Sequence, residues 1–264
     1  MNEVNKTLYI PLYGKAYVSR KGLILHDTKA EEIWEKEGFA LKGKSKSKWL
    51  AYYMGMRSAV FDGWVKKKMQ EDECAVVVHI GCGMDSRVLR VGTDDHLWYD
   101  VDFPDVIEER KTYYSETEDY TMLASDVRNT EWLNDIPSNA DAIVVMEGIS
   151  MYLQVEELQN TLGAIANHFN KISLLMDCYT EFAAMASKYK NPINDVGVTK
   201  VVGIDDPQIC EENTGLTYVG EHNMTPECMI NELKGIECTF FRFMFGGKLS
   251  KKMYRLYEYE TIEG

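Results

Sequence analysis

The chain lacks the features that mark membrane, disulfide-rich and nucleic-acid-binding proteins. Its uninterrupted apolar runs are only a few residues long, as at residues 75–78, whereas a membrane-spanning helix needs about 20 residues. Its six cysteines include no Cys-x-x-Cys pair, so the sequence predicts reduced thiols and neither a zinc site nor a disulfide framework. The formal charge of −13 opposes binding to nucleic acid and to anionic lipid over most of the surface.

Leader peptides, repeats and metal-binding patterns are also missing from the sequence. No apolar signal core with a small-residue cleavage site follows the polar first residues, so we expect a cytoplasmic protein. No group of His, Asp or Glu has the spacing of metal ligands, and we predict no metal. What is present is ordinary for a folded protein: 264 residues, 45% apolar and 27% charged. This length suits one large domain or two small ones.

The hydrophobic period changes near residue 73 and divides the chain in two. Up to residue 72, apolar residues recur at every third and fourth position, which predicts helices. Short continuous apolar runs follow, with helical segments between them, and such runs are typical of buried parallel strands. These runs are residues 75–80, 96–101, 142–146 and 172–177. We therefore predict an α/β fold, with a helical lid at residues 1–72 and an open-sheet core at residues 73–264.

The last part of the chain has a different composition. Residues 236–245 and 253–261 are rich in aromatic and β-branched residues, and Gly246 and Gly247 lie between them. This pattern predicts an antiparallel hairpin that completes the sheet. Residues 181–235 are less periodic, and we expect them to form a mixed insertion over the sheet.

The first predicted strand leads directly into a glycine turn at Gly81 and Gly83. Such a turn lets the backbone approach a nucleotide closely, although a plain strand-to-helix turn has the same sequence. Asp100 and Asp102, at the end of the next predicted strand, follow Gly81 by 19 and 21 residues. A carboxylate at this distance binds ribose hydroxyls in nucleotide-binding α/β folds. The two features together predict a ligand that contains a nucleoside.

Acidic residues around the turn favour an adenosyl ligand over a dinucleotide. Ser86 stands where a dinucleotide motif has its third glycine, and Asp85 would repel a pyrophosphate. S-adenosylmethionine instead carries a sulfonium and an ammonium group, which suit a pocket containing Asp85, Asp100, Asp102 and Glu147. A nicotinamide oxidoreductase is the alternative enzyme. A non-catalytic module that binds an adenosyl ligand is an alternative of a different class.

Two later acidic residues extend the pattern. Asp126 could accept a hydrogen bond from an adenine amino group, or it could cap a helix that begins near Asn129. Glu147 directly follows the apolar run 142–146, at the edge where open sheets bind ligands. Its alternative role is a salt bridge or a helix cap at that edge.

Four strings, in this order, resemble the leucine carboxyl methyltransferase family. They are residues 79–87 (HIGCGMDSR), 99–107 (YDVDFPDVI), 124–128 (ASDVR) and 146–153 (MEGISMYL). The resemblance covers about residues 48–180 and points to the bacterial branch of tetracenomycin-type polyketide O-methyltransferases. It implies a class I methyltransferase fold, which is a Rossmann-like, seven-stranded sheet whose last strand is antiparallel. It also implies S-adenosylmethionine as the cofactor.

The resemblance also implies a set of cofactor-binding residues. They are Arg57 for the cofactor's carboxylate, Gly81 and Gly83 in the turn, Asp102 on the ribose, Asp126 and Val127 around the adenine, and Glu147 near the methionine end. A planar guanidinium can bind a carboxylate bidentately, although Arg57 could also be a surface residue of an amphipathic helix. The family places a lysine near the amino terminus, and Lys15 and Lys21 compete for that place.

The function predicted from these residues is S-adenosylmethionine-dependent O-methyl transfer to a small molecule. The sulfonium methyl is already activated, so the enzyme mainly has to align the acceptor and exclude water. Met151 and Tyr152 are candidates for positioning the acceptor, or they simply begin the next helix. A carboxylate acceptor is ionised at neutral pH and needs no general base. A phenol would benefit from one.

Two questions about the acceptor stay open at this level. The candidates for a general base are His26, His96 and His222, and spacing does not choose among them. The family also includes enzymes that methylate the carboxyl terminus of a protein, so a protein substrate is the alternative to a small carboxylate.

Overall fold

The amino-terminal part of the protein is helical, as predicted. The computed structural model describes residues 8–37, 43–187 and 201–261. Its first helices are α1 (Tyr9–Arg20), α2 (Thr28–Glu37) and α3 (Lys48–Glu71), with a 3-10 turn at Gly43–Lys46 before α3. The Ser47 hydroxyl accepts a hydrogen bond from the Trp49 backbone N–H and so caps α3. These helices confirm the predicted helical character, and their role as a lid stays a prediction.

The described residues place seven strands in one mixed sheet. In chain order the strands are β1 (Val76–Ile80), β2 (Trp98–Asp102), β3 (Tyr120–Ala124), β4 (Ala142–Met146), β5 (Ile172–Tyr179), β6 (Leu216–Glu221) and β7 (Tyr254–Thr261). Across the sheet the order is β3-β2-β1-β4-β5-β7-β6. Strands β1 to β5 are parallel, and β7 is antiparallel to both of its neighbours. The predicted α/β class and antiparallel last strand are therefore confirmed.

Helices cover both faces of the sheet. The remaining helices are α4 (Arg87–Val91), α5 (Pro104–Arg110), α6 (Val155–His168), α7 (Glu181–Ala186), α8 (Glu227–Ile230), α9 (Ile236–Phe245) and α10 (Gly247–Ser250). Val78 belongs to the same buried cluster as Leu162 of α6, and Val77 to the same cluster as Phe61 of α3. Neighbouring residues of β1 therefore face opposite layers, which explains why the predicted strands are apolar without interruption.

Residues 236–245 form helix α9, so the predicted terminal hairpin is wrong. Phe241 is buried with its ring edge-on to Tyr52 of α3, and Phe245 packs against Tyr53, each at a centroid distance of 6.1 Å. Positions four residues apart share one face of a helix, so these aromatic residues serve helix packing although their composition resembles a strand. The strands that pair with β7 are β5 and β6. Strand β6 lies inside the predicted insertion, of which residues 188–200 fall outside the described residues.

The outer side of α9 carries an exposed apolar surface. We call it the α9 stripe, and it consists of Ile236, Phe240, Phe243 and Met244, whose exposed fractions run from 40% to 86%. Across the described ranges, no helix combines the length and the apolarity that a membrane span requires.

Strand β3 is missing from the sequence prediction. Tyr120 and Met122 are buried, whereas Thr121 and Leu123 are half-buried and Ala124 is exposed. This alternation fits a strand at the edge of the sheet, and the continuous apolar runs used for the prediction do not detect it.

Candidate functional site

A cavity of about 140 Å³ lies at the carboxyl ends of β1, β2 and β4. The strand ends supply the glycine turn, Asp102 and Glu147, while α1 and α3 supply Lys15 and Arg57. This is the edge at which open α/β sheets bind their ligands. Of the residues singled out in the sequence, the cavity brings together Lys15, Arg57, Gly81, Gly83, Asp85, Asp102, Glu147, Met151 and Tyr152.

The glycine turn requires glycine for two reasons. Gly81 has φ +69° and Gly83 has φ +51°, which is the left-handed region that side chains disfavour. A Cβ atom on Gly81 would also lie 2.8 Å from Cδ1 of Ile149. The Gly83 backbone N–H donates to Oδ2 of Asp102 at 2.7 Å. The turn and this acid therefore form one unit, which we call the turn end of the cavity: Gly81, Gly83 and Asp102.

Asp102 is held by backbone groups and keeps an unusual pKa. Its Oδ1 atom accepts a hydrogen bond from the Phe103 backbone N–H at 2.7 Å. The backbone N–H groups of Gly83 and Phe103 lower the pKa of the Asp102 carboxyl, but burial outweighs them and raises this pKa to about 6. This carboxyl therefore changes its charge close to neutral pH.

Asp100, two residues earlier, has a different environment from Asp102. It is fully buried, accepts a hydrogen bond from Trp98 Nε1 at 2.9 Å and pairs with Arg110. Burial alone would raise its pKa, but Arg110 and His79 lower the pKa of Asp100 to about 2. Asp100 is not among the residues that line the cavity, so the structure separates the two acids that the sequence places together.

At the other side of the cavity, arginine side chains hold the acids. Oε1 of Glu147 accepts from Arg57 Nε at 3.0 Å, and Oε2 of Glu147 accepts from Arg87 Nη2. Arg57 Nη1 also donates to Oδ2 of Asp177 at 2.8 Å. Burial would raise the pKa of Glu147, but Arg57 and Arg87 lower it to about 2. We call Arg57, Arg87, Glu147 and Asp177 the arginine end of the cavity.

Further ion pairs continue from the arginine end toward α1 and α4. Arg87 donates to Asp62 of α3 at 2.8 Å. Arg90 contacts Asp85 at 2.8 Å and Asp62 at 2.7 Å. Sequence analysis missed Asp62, Arg87 and Arg90 as parts of the site. The sequence feature that could have identified the arginines is their position: Arg87 lies four residues after Gly83, and Arg90 follows three residues later.

The structure distinguishes the two candidate lysines. Lys15 is 3% exposed, lines the cavity and lies 3.2 Å from Oδ2 of Asp85. Lys21 is exposed and donates to the Tyr52 hydroxyl at 2.9 Å, near Glu237. Of the two, Lys15 therefore has the position from which a cavity ligand can be reached.

Asp126 and Val127, the predicted adenine contacts, are not among the residues that line the cavity. The Asp126 carboxylate accepts from Arg128 Nε at 2.9 Å, and this hydrogen bond lowers the pKa of Asp126. Val127 is part of the buried core. The cap of the following 3-10 helix, Thr130–Asp135, is the Asn129 side chain, so the alternative role of Asp126 as its cap is wrong.

None of the three histidines suggested as a general base lines the cavity. His26 is exposed, and the His96 ring contacts backbone carbonyls in its own loop. His222 Nε2 lies 2.6 Å from Glu258. A fourth residue, His79 of β1, does line the cavity and was not a candidate.

An apolar wall faces the charged groups of the cavity. Met151 and Tyr152 lie on the 3-10 turn Ser150–Tyr152 that follows Glu147, and both line the cavity with Met54 and Tyr254. Met151 is 4% exposed. Both residues therefore belong to a helical turn and also line the cavity, and their role in positioning the acceptor stays a prediction. In the described part of the chain, no group of three or more potential metal ligands occurs.

Comparisons with known proteins relate this chain to methyltransferases. A family model described as leucine carboxyl methyltransferase matches residues 6–166. The tetracenomycin polyketide synthesis O-methyltransferase TcmP of Streptomyces glaucescens is 28% identical over 237 residues, which cover 89% of this chain and 88% of that protein. The S-adenosyl-L-methionine-dependent methyltransferase dpfgK of Gibberella zeae is 29% identical over 159 residues, which cover 54% of this chain and 53% of that protein.

One solved structure supports the fold. Magnesium protoporphyrin IX methyltransferase (ChlM) from Synechocystis PCC 6803, solved with bound SAH, aligns with a TM-score of 0.52. The alignment covers 89% of this chain and 94% of that one, at 10% identity. At this identity the likeness concerns the fold.

Proposed function

Since this chain belongs to the leucine carboxyl methyltransferase family, and is an S-adenosylmethionine-dependent methyltransferase, we propose that it methylates a carboxylate of a small molecule. The observation that carries this proposal is the cavity itself, in which the turn end and the arginine end face an apolar wall. The similarity to a polyketide O-methyltransferase along most of both chains supports a small acceptor.

The lining residues fit the chemical groups of S-adenosylmethionine. Asp102 would accept hydrogen bonds from ribose hydroxyls, beside a turn whose backbone can approach a ligand closely. Asp85 and Glu147 supply negative charge for the sulfonium and ammonium groups. Arg57 and Lys15 supply positive charge for the carboxylate. When bound, the cofactor supplies an activated methyl group, so the residues of this chain need only orient the acceptor and exclude water.

A carboxylate suits the cavity better than a phenol. A carboxylate is ionised at neutral pH, whereas a phenol has a pKa of about 10 and needs a base. Among the histidines in the described ranges, His79 lines the cavity. Burial lowers the pKa of His79, and its ring nitrogens lie 3.1 Å from Arg87 and 3.3 Å from Asp100. It is therefore poorly placed to take a proton from an acceptor.

The apolar wall and the first helix would select the acceptor. Met54, Met151, Tyr152 and Tyr254 offer an apolar and aromatic surface for the body of the acceptor. Residues of α1, including Ile10, line the same cavity. We propose that the amino-terminal helices act as the lid, because residues of α1 and α3 line this side of the cavity.

Carboxyl methylation of a protein terminus is the second candidate, because the matching family model is described as leucine carboxyl methyltransferase. The family match leaves the nicotinamide oxidoreductase without support. The similarity to an O-methyltransferase along most of both chains favours an enzyme over a non-catalytic binding module.

Two measurements test the proposal. The first is calorimetric titration with S-adenosylmethionine and S-adenosylhomocysteine, with NADH as the comparison ligand. The second is incubation with S-adenosylmethionine and a panel of carboxylic acids, matched phenols and a peptide with a free carboxyl terminus, followed by mass spectrometry. We expect methylated carboxylic acids whose methyl group is released by mild alkali, as an ester requires. Alkali-stable methyl ethers of the phenols, or methylation of the peptide alone, would refute the proposed acceptor.

A further inference from the structure

A line of buried polar groups, some of which line the cavity, joins its two ends. We call it the buried relay, and its members are Glu147, Arg87, His79, Asp100, Arg110 and the Gly83 carbonyl. His79 is 1% exposed, and Arg87, Asp100 and Arg110 are fully buried. Polar groups at such depth are costly unless each finds a partner.

The sheet register puts His79 in the middle of the buried relay. His79 of β1 is the register partner of Asp100 of β2 in a parallel pair, so the two side chains lie on the same face. His79 Nδ1 lies 3.3 Å from Oδ1 of Asp100, which is close enough for an electrostatic contact but lacks the geometry of a hydrogen bond. Its Nε2 atom lies 3.1 Å from Nη1 of Arg87.

The partners of His79 determine its tautomer. A guanidinium donates and never accepts hydrogen bonds, so Nε2 of His79 must accept from Arg87. The ring proton therefore resides on Nδ1 and faces the Asp100 carboxylate. Burial and the charge of Arg87 lower the pKa of His79, so the ring is neutral at physiological pH. A neutral ring is the form that can bridge a cation on one side and an anion on the other.

Each partner of His79 leads to a different end of the cavity. Arg87 binds Glu147 at the arginine end. Asp100 pairs with Arg110, whose Nη1 donates to the Gly83 carbonyl at 2.9 Å in the turn end. An apolar residue in place of His79 would leave an Arg87 N–H and an Asp100 lone pair without this contact.

We propose that His79 is a positioning residue that fixes the glycine turn relative to Glu147, and so sets the fit of the cavity to both halves of its ligand. The inference rests on the proposed function, because it requires S-adenosylmethionine to span the turn end and the arginine end. No contact between His79 and the reacting atoms is needed.

Two near-isosteric variants each remove one half of the bridge. His79→Asn keeps an amide donor near Asp100 and loses the acceptor that faces Arg87. His79→Gln reaches toward Arg87 with an amide oxygen and loses the donor at Asp100. Both are titrated with S-adenosylhomocysteine and with methylthioadenosine, which lacks the amino acid carboxylate and ammonium groups.

The two variants should discriminate between the ligands. His79→Asn should weaken S-adenosylhomocysteine about tenfold and methylthioadenosine less than about twofold, because the arginine end is loosened. His79→Gln should weaken both ligands by a similar factor of about ten, because the turn end is loosened. Loss of thermal stability with unchanged affinities, or the same effect on both ligands in both variants, would overturn the inference.

Controls separate the inference from the proposed function. His96→Asn and His96→Gln make the same substitutions at a buried histidine outside the cavity, and should not change the ratio of the two affinities. Failure of the unaltered protein to bind S-adenosylhomocysteine would refute the proposed function and this inference with it. If the unaltered protein binds S-adenosylhomocysteine but the His79 variants do not show the expected difference between the two ligands, the inference is refuted and the proposed function is not.

A measurement on the unaltered protein covers the case in which the variants do not fold. The ¹⁵N chemical shifts of the His79 ring report which nitrogen carries the proton. We expect a neutral ring protonated on Nδ1 at neutral pH, with and without S-adenosylhomocysteine. A ring protonated on Nε2, or a charged imidazolium, would contradict the bridge.

Discussion

The turn end lines the same cavity as Arg57 and Glu147 of the arginine end, but different interactions hold the two ends together. At the turn end, backbone N–H groups of Gly83 and Phe103 hold Asp102, each at 2.7 Å. At the arginine end, Glu147 depends on two buried arginine side chains from α3 and α4. Substitution of Asp102 at the turn end should therefore alter ligand binding with little effect on folding. Substitutions at the arginine end should alter both.

The largest expected effect comes from Glu147→Ala. The change leaves the buried guanidinium groups of Arg57 and Arg87 without a shared partner, and breaking a buried ion pair costs about 3–5 kcal/mol. Urea unfolding should show this loss in the free energy of unfolding. The control is Glu227→Ala, which removes a surface pair with Arg242 and should change stability far less. Equal effects of the two substitutions would contradict the contrast between the ends.

Asp102→Ala should act on the ligand more than on the fold. Hydrogen bonds to a charged group are worth about 1.5–3 kcal/mol, so calorimetry should show affinity for S-adenosylhomocysteine reduced by about tenfold or more. The midpoint of thermal unfolding should move less than in Glu147→Ala. A large loss of stability together with unchanged affinity would show that the turn end is structural.

The pH dependence of binding should come from the turn end. The Asp102 carboxyl has a pKa of about 6, and ribose hydroxyls donate better to its ionised form. Affinity for S-adenosylhomocysteine should therefore level off above about pH 7 and fall by up to about tenfold per unit below pH 6. Glu147, with a pKa of about 2, stays ionised over this range. Calorimetric titrations at several pH values should show that Asp102→Asn removes this dependence, and a retained slope would assign it elsewhere.

The smallest expected effect distinguishes the two lysines. Lys15→Met should weaken S-adenosylmethionine binding by a few fold, on the scale of about 1 kcal/mol, because Lys15 lines the cavity beside Asp85. Lys21→Met should leave the affinity unchanged, because Lys21 contacts Tyr52 instead. Parallel calorimetric titrations compare the two variants, and the reverse order of effects would contradict the placement.

The sequence predicts the turn end better than the arginine end, and chain separation explains the difference. The glycine turn and Asp102 lie within about 20 residues, where strand spacing is regular enough to be recognised. Glu147 could be placed at the sheet edge because it ends an apolar run. The ion pairs that join it with Arg57, Arg87 and Asp177 could not be predicted, since these residues come from three distant elements that meet only in the folded protein.

The same limit applies to the fold. The four central strands are visible as continuous apolar runs, whereas β3 at the edge alternates and escapes that test. Aromatic composition suggests a strand at residues 236–245, but the four-residue spacing of Phe241 and Phe245 matches their contacts with α3. For residues 236–245 the spacing of the aromatic residues predicts the structure better than their composition, because packing depends on which side chains share a face.

The α9 stripe bears on how the purified protein behaves in solution. The exposed side chains of Ile236, Phe240, Phe243 and Met244 favour contact between molecules. The formal charge of −13 makes the molecules repel each other. Salt shortens the range of that repulsion from about 10 Å at 0.1 M to about 3 Å at 1 M. It leaves the apolar attraction in place. Colloidal stability of this protein should therefore be greatest in buffers of low ionic strength at pH values well above its isoelectric point of 4.9.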